Sequence, residues 1–220
     1  MTTYLFDFDG TLVDSMPTFV AAMREVMEEY GVPCDDETLR TIVPLGYRGT
    51  VEYCQKNGLS LPIDEMTQKM GARMVAAYRD TIPAKAGIPT LLRALRATGA
   101  SLNILTASPH VMLDPALSRL GIAELFDHVW SCEDFGTTKS DPTIYVRAAE
   151  AMGAAVGEVW FVDDNIHALA TAKAAGMRTC GVYDEASSAD VDAIRAFADG
   201  YAESADALRS VLMEGTDAGV

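Results

Sequence analysis

YLFDFDGTLVDS, residues 4–15, decides the fold. Tyr4–Phe6 is a short, wholly apolar run that passes directly into Asp7, Asp9, Gly10 and Thr11. A run that is apolar at every position, rather than at every second one, reads as a strand covered on both faces, the habit of parallel sheets. Leu102–Leu105, Val159–Val162 and Met177–Val182 have much the same character, although Asn103 interrupts the first of these and Thr179, Cys180 and Gly181 the last. A helix-like segment precedes each of these three. GIPTLLRALRATG (87–99) places Leu91, Leu92 and Leu95 on one face and stops at Gly99; SPHVMLDPALSRLG (108–121) reads as a helix with Ser108 as N-cap and Pro109 at the first position, ending at Gly121. DPTIYVRAAEAMG (141–153) repeats that design with Asp141, Pro142 and Gly153. Strands and helices alternating at these lengths predict an α/β fold, a doubly wound parallel sheet of the Rossmann-like kind.

The alternation fails between Asp14 and Ile82. Phe19, Met23, Val26, Met27 and Tyr30 form an apolar stripe in MPTFVAAMREVMEEYG (16–31), and DEMTQKMGARMVAAYRD (64–80) reads as a second amphipathic helix. The expected organisation is an α/β core of residues 1–14 and 82–220 with a helical insert, 15–81, directly after the first strand. GYAESADALRSVLMEG (200–215) predicts a last short strand and a helix, and TDAGV (216–220) a frayed end.

Composition narrows the function. The chain has 220 residues, 49% of them hydrophobic, enough to fold around a core. Seventeen Lys and Arg against 32 Asp and Glu give a formal charge of −15. That charge repels nucleic-acid backbones and anionic lipid, and no basic run offsets it, so neither is an expected partner. An anionic substrate would need a divalent cation to reverse the local field. Cys34, Cys54, Cys132 and Cys180 show no CxxC or zinc-type clustering and read as reduced, buried thiols. The N-terminus lacks the basic and apolar regions of a signal peptide, and no apolar stretch approaches the roughly 18 residues of a membrane span. The expectation is a cytoplasmic protein, monomeric or homodimeric.

The chemistry-bearing residues fall at strand ends: Asp7, Asp9, Gly10 and Thr11 after the first, Thr106, Ala107 and Ser108 after the second, Asp163, Asp164 and Asn165 after Val159–Val162. Lys139 stands two residues before the Asp141 cap. Ligands of open α/β sheets bind outside the carboxyl ends of the strands, so these elements should converge. In an extended chain Asp7 and Asp9 point the same way and Gly10 permits a tight turn after them. Two such carboxylates repel unless a cation or a shared proton relieves them, and oxygen-only ligands favour Mg²⁺. Taken singly, Thr106 is an ordinary strand-end threonine, Lys139 a surface lysine, and Asp14, Ser15 and Ser108 caps and turn formers; the pattern as a whole outweighs those readings. His110, His128 and His167 share no useful spacing.

This order of motifs resembles the haloacid dehalogenase-like superfamily, helical-cap subclass, which includes phosphoglycolate phosphatases, sugar phosphatases and β-phosphoglucomutases. DFDGTLVDS (7–15), the strand ending in Thr106, Lys139 before DPTIY, and FVDD ending at Asp164 carry the resemblance. D-x-D-G-T alone arises by chance with a probability of about 0.001 in a chain this long. The resemblance implies that Asp7 is a nucleophile forming an aspartyl-phosphate and that Asp9 is the general acid/base, its carbonyl on Mg²⁺. It further implies that Thr106, Lys139 and the N–H groups near Phe8, Asp9 and Ala107 hold the phosphoryl group, while Asp164 ligates the metal and Asp163 supports it or positions Lys139. Many relatives have K-P-x-P where this chain has Lys139-Ser140-Asp141-Pro142, a loosening of the loop.

A receiver domain shares these residue types but is smaller and lacks the insert. Asp9 argues against halide displacement. The expected function is thus Mg²⁺-dependent hydrolysis of a small phosphorylated metabolite, with a phosphosugar mutase as the alternative. Against the mutase, Phe19 stands where mutase relatives carry a histidine, twelve residues after the nucleophile, and Thr11 where they carry an apolar residue. In the insert, Gly46-Tyr47-Arg48-Gly49 reads as a loop whose flanking glycines allow close approach, with Arg48 holding a second anionic group of the substrate.

Overall fold

The computed structural model describes residues 2–32, 34–42, 46–57 and 62–214, with the side chains at 36, 40, 46–49 and 214 outside that description. Its contacts divide the chain into two compact units, Met1–Asp14 with Pro83–Val220, and Ser15–Ile82.

The first unit is a six-stranded parallel sheet: β1 (Thr3–Phe6), β2 (Ser101–Thr106), β3 (His128–Ser131), β4 (Val159–Asp163), β5 (Arg178–Val182) and β6 (Gly200–Ala202), in the order β3-β2-β1-β4-β5-β6. All four residues of β1, six of β2 and five of β4 are buried, which is why those runs are mainly apolar; Asn103, the polar residue inside β2, is fully buried and donates its amide to the Tyr4 carbonyl at 3.1 Å and to the Ser101 hydroxyl at 3.0 Å. Successive side chains serve opposite faces. Leu5, Leu105 and Phe161 pack with Ile144, Tyr145, Ala148, Leu169 and Ala172, whereas the neighbouring Tyr4 donates its hydroxyl to the Leu212 carbonyl at 3.1 Å.

β3 is a strand that the apolar-run reading misses. It lies on an edge, three of its four residues are only half-buried, and Val129 and Trp130 alone are apolar, too few to register as a run. The helix expected from Ser108 also begins later, at His110, with the extended Pro109 before it and Ser108 outside it. At its far end Gly121 takes a left-handed conformation, φ 62°, that ends the helix as expected. The strand and helix read from 200–215 are present at Gly200–Ala202 and Ala205–Glu214, while residues 216–220 lie outside the described residues.

The described elements of the second unit are the four helices α1 (Met16–Glu29), α2 (Asp36–Ile42), α3 (Gly46–Lys56) and α4 (Ile63–Asp80). Met66, Met70, Met74 and Tyr78 recur every fourth position on the buried face of α4, and α1 buries Ala22, Met23, Val26 and Met27. Arg73 and Lys69 reach back to Glu29, the lysine at 2.7 Å. Gly46–Gly49 forms the first turn of α3 and is not a loop; the Arg48 side chain lies outside the described residues.

Candidate active site

In the sheet order, the chain runs outward from β1 through β2 to β3, then returns to the other side of β1 with β4. The switch therefore lies between β1 and β4, where α/β folds open a crevice at the carboxyl ends of the strands. Asp7 follows β1 there, its N–H donating to the Val162 carbonyl of β4 at 2.8 Å. Asp163 ends β4 and Asp164 comes next. Carboxylate oxygens of Asp7, Asp163 and Asp164 all lie within 4.8 Å of one another.

Gly10 permits that approach. Its φ of 72° belongs to the left-handed region, and a Cβ at this position would stand 2.8 Å from Asp164 Oδ1. The conformation therefore strains any residue but glycine, and a Cβ would also displace the Asp164 carboxylate. The turn is closed by N–H donations from Leu12 and Val13 to the Phe8 carbonyl at 2.8 and 3.0 Å. Thr11 sits 3.5 Å from Asp164 Oδ1.

Lys139 lies in the loop between the helices Cys132–Phe135 and Thr143–Ala151. Its ammonium donates to Asp163 Oδ2 at 2.8 Å and also bonds Asp7. The other oxygen of Asp163 accepts the Asn165 N–H at 2.8 Å, so both Asp163 oxygens are engaged within the protein. The proline absent after Lys139 is offset by local hydrogen bonds. Asp141 accepts from the Thr143 N–H at 2.9 Å and the Thr137 hydroxyl at 3.0 Å, and the buried Tyr145 hydroxyl lies 3.1 Å from the Lys139 carbonyl.

Burial raises the Asp7 carboxyl well above the ordinary range; Lys139 pulls it down, while Asp163, Asp9 and Asp164 push it up. Burial, then Asp163 and Asp184, lift Asp164 to about 7. Burial opposes the Lys139 charge, but Asp163 and Asp7 outweigh it and hold the ammonium protonated. With all three clustered carboxylates ionised against one ammonium, two net negative charges remain, which one divalent cation balances. The donor set, all hard oxygen, fits such an ion.

The remaining sequence candidates are also at strand ends. Thr106 is buried at the end of β2, Phe8 is fully buried, and Ala107 is exposed. The Asp9 carboxylate stands outside the three-acid group and accepts a 2.5 Å hydrogen bond from the Ser108 hydroxyl. Ser108 thus faces the site instead of capping a helix. Lys85 has no place in the sequence reading. Its ammonium donates to the carbonyls of Gly10 and Tyr183, at 2.7 and 2.5 Å, and to buried Asp184 at 3.0 Å.

A family model described as haloacid dehalogenase-like hydrolase matches residues 4–182, and the chain belongs to that family. It is 30% identical over 184 residues to the N-acetylmuramic acid 6-phosphate phosphatase of Pseudomonas aeruginosa, covering 81% of this chain and 80% of that protein. It is 26% identical over 181 residues to hexitol phosphatase B of Escherichia coli K12, covering 80% of each. Among solved structures, a HAD family hydrolase from Deinococcus radiodurans with bound phosphate and sodium is similar with a TM-score of 0.80 and 25% identity, over 98% of this chain and 96% of that one.

Proposed function

We propose that this hydrolase is a Mg²⁺-dependent phosphatase that transfers the phosphoryl group of a small metabolite to Asp7 and then to water. The observation that carries the reading is the Asp7, Asp163 and Asp164 cluster, with Lys139 bridging two of its members, at the switch point of the sheet. Asp7, Asp164 and the Asp9 backbone carbonyl would hold the metal. Asp163, both of whose oxygens are engaged, positions Lys139. Bound there, the cation supplies charge neutralisation for the phosphoryl oxygens.

Asp7 attacks phosphorus, and Asp9 protonates the leaving oxygen and afterwards takes the proton of the attacking water. Lys139, the Thr106 hydroxyl and N–H groups near Phe8, Asp9 and Ala107 hold the phosphoryl oxygens as charge spreads over them. Residues 15–81 act as the cap domain, from which substrate choice comes, Arg48 included. The similar proteins bear sugar-phosphate and hexitol phosphatase names, which favours a small sugar or polyol phosphate. A mutase is not favoured, with phosphatase names among these relatives and Phe19 in the cap helix. The four cysteines are free and buried, in keeping with a reducing cytoplasm, and no helix among the described residues is long and apolar enough to cross a membrane.

A panel of hexose, amino-sugar, polyol and glycolate phosphates assayed for inorganic phosphate with Mg²⁺ tests the reading. Asp7→Asn should lower release by at least about a thousandfold with unchanged circular dichroism, since an amide fills the same volume but cannot attack phosphorus. Near-normal release by that variant would remove Asp7 from the nucleophile role.

A further inference from the structure

Ser108 lies two residues past Thr106, in the connection between β2 and the helix His110–Leu120. Two hydrogen bonds tie it to separate parts of the site. Its backbone N–H donates to Thr106 Oγ1 at 3.1 Å, and its hydroxyl donates to Asp9 Oδ2 at 2.5 Å, across 99 residues of sequence. The first bond fills an acceptor position of the Thr106 oxygen and leaves the threonine's own hydrogen to be donated elsewhere. The second acts directly on the Asp9 carboxyl, at the end of a side chain with two rotatable bonds. A proton donor acts only at hydrogen-bond reach of the atom it protonates, so an unrestrained carboxyl spends much of its time out of range.

Resting on the phosphatase reading above, we propose that Ser108 is a positioning residue for the proton transfer: its hydroxyl holds the Asp9 carboxyl toward the leaving-group oxygen, while its N–H keeps the Thr106 hydroxyl a donor to the phosphoryl group. In the step it serves, an Asp7 oxygen forms a bond to phosphorus, the bond from phosphorus to the leaving oxygen breaks, and that oxygen takes the Asp9 proton. The products are an alcohol, the acyl phosphate and an Asp9 carboxylate. In the second step water attacks phosphorus, Asp9 regains a proton, and Asp7 departs as a carboxylate.

A series of substituted phenyl phosphates, from p-nitrophenyl to phenyl to p-methoxyphenyl, isolates this role. The substrates are similar in size, but the leaving oxygens differ in their need for a proton. Because kcat/KM reports the first phosphoryl transfer only, it separates the acid step from the later hydrolysis. For Ser108→Ala, kcat/KM should fall no more than about threefold with p-nitrophenyl phosphate and about a hundredfold with p-methoxyphenyl phosphate, steepening the leaving-group dependence. Ser108→Thr, which restores a hydroxyl, should return the dependence toward that of the wild type. If Ser108→Ala is poorly folded by thermal melt, Ser108→Cys, with similar volume and a weaker donor, supplies the same slope. An equal loss across the series, or a rise in KM alone, overturns the inference and makes Ser108 a structural or substrate-binding residue. Absence of wild-type activity across both this series and the metabolite panel overturns the phosphatase reading itself, and the inference with it.

Discussion

Two half-buried ammonium groups in the α/β unit have nearly the same local design and different tasks. Lys139 pairs with Asp163 and Lys85 with Asp184, and in each case the second oxygen of the aspartate accepts a backbone N–H of the turn that follows, from Asn165 and Ala186. The difference lies in what else the ammonium touches. Lys139 bonds the carboxylate of Asp7, a group proposed to react. Lys85 bonds two carbonyls, of Gly10 and Tyr183, and its own N–H donates to the Leu12 carbonyl at 2.9 Å. One lysine therefore sets the charge of the crevice, and the other sets the course of the backbone that carries Asp9. The same ion pair can serve either purpose, and its third partner decides which.

Breaking the first pair should have the larger effect. Lys139→Met leaves Asp7 and Asp163 as two buried acids without their cation and removes a donor to the phosphoryl group. Phosphate release should fall about a thousandfold or more, and the melting temperature should fall too, because an orphaned buried charge costs about 3–5 kcal/mol. A variant that keeps more than a tenth of the wild-type rate would show that Lys139 serves the fold alone.

The imbalance left between the pairs gives a second test. Asp164, lifted to about 7 by burial, Asp163 and Asp184, is an acid whose folded value exceeds its ordinary 3.8. Between those values the native state retains a proton that the unfolded chain has released, so stability falls as pH rises. In chelator, unfolding free energy should decline from pH 4 to pH 8 by up to about 4 kcal/mol, the equivalent of that difference. Asp164→Asn should flatten the decline, and so should Mg²⁺. Denaturant titrations at four pH values would measure it; a decline unchanged in Asp164→Asn would assign it to other groups.

The smallest effect belongs to the backbone clamp. Lys85→Met should lower kcat/KM about tenfold and stability by about 3 kcal/mol, through the orphaned Asp184 carboxylate. Lys85→Met/Asp184→Asn should recover most of the stability and little of the activity, because the Gly10 carbonyl is still untethered. Recovery of both together would show that charge, and not the course of the turn, is what Lys85 provides.

The contrast also marks what a sequence discloses. Buried strands announce themselves where apolar residues dominate both faces, as in β1, β2 and β4, and the four carboxyl-end motifs are legible because the proposed chemistry needs particular residue types in a particular order. β3 is not legible: an edge strand needs cover on fewer sides, and His128 and Ser131 hide its two apolar residues. Ser108 is misread because serine before proline is a common way to begin a helix, and the competing partner, Asp9, is 99 residues away. Lys85 stands alone in PAKAG, where nothing local distinguishes a surface lysine from one with three acceptors in distant parts of the chain. In both cases the informative neighbour is distant in the chain, so no window of sequence contains the signal.

The chain leaves the α/β unit after Asp14 and re-enters it at Pro83, and at that place Asp14 N–H donates to the Pro83 carbonyl at 3.0 Å while Val13 bridges Ala84 antiparallel. Residues 15–82 thus hang from two adjacent points of one short ribbon, the arrangement in which inserted domains are best tolerated. Such a segment behaves as a cassette. An exchange of it for the corresponding segment of a relative should leave the strands of the sheet in place, and with substrate choice proposed to lie in that segment, a lineage could change what its enzyme recognises while inheriting the reaction intact.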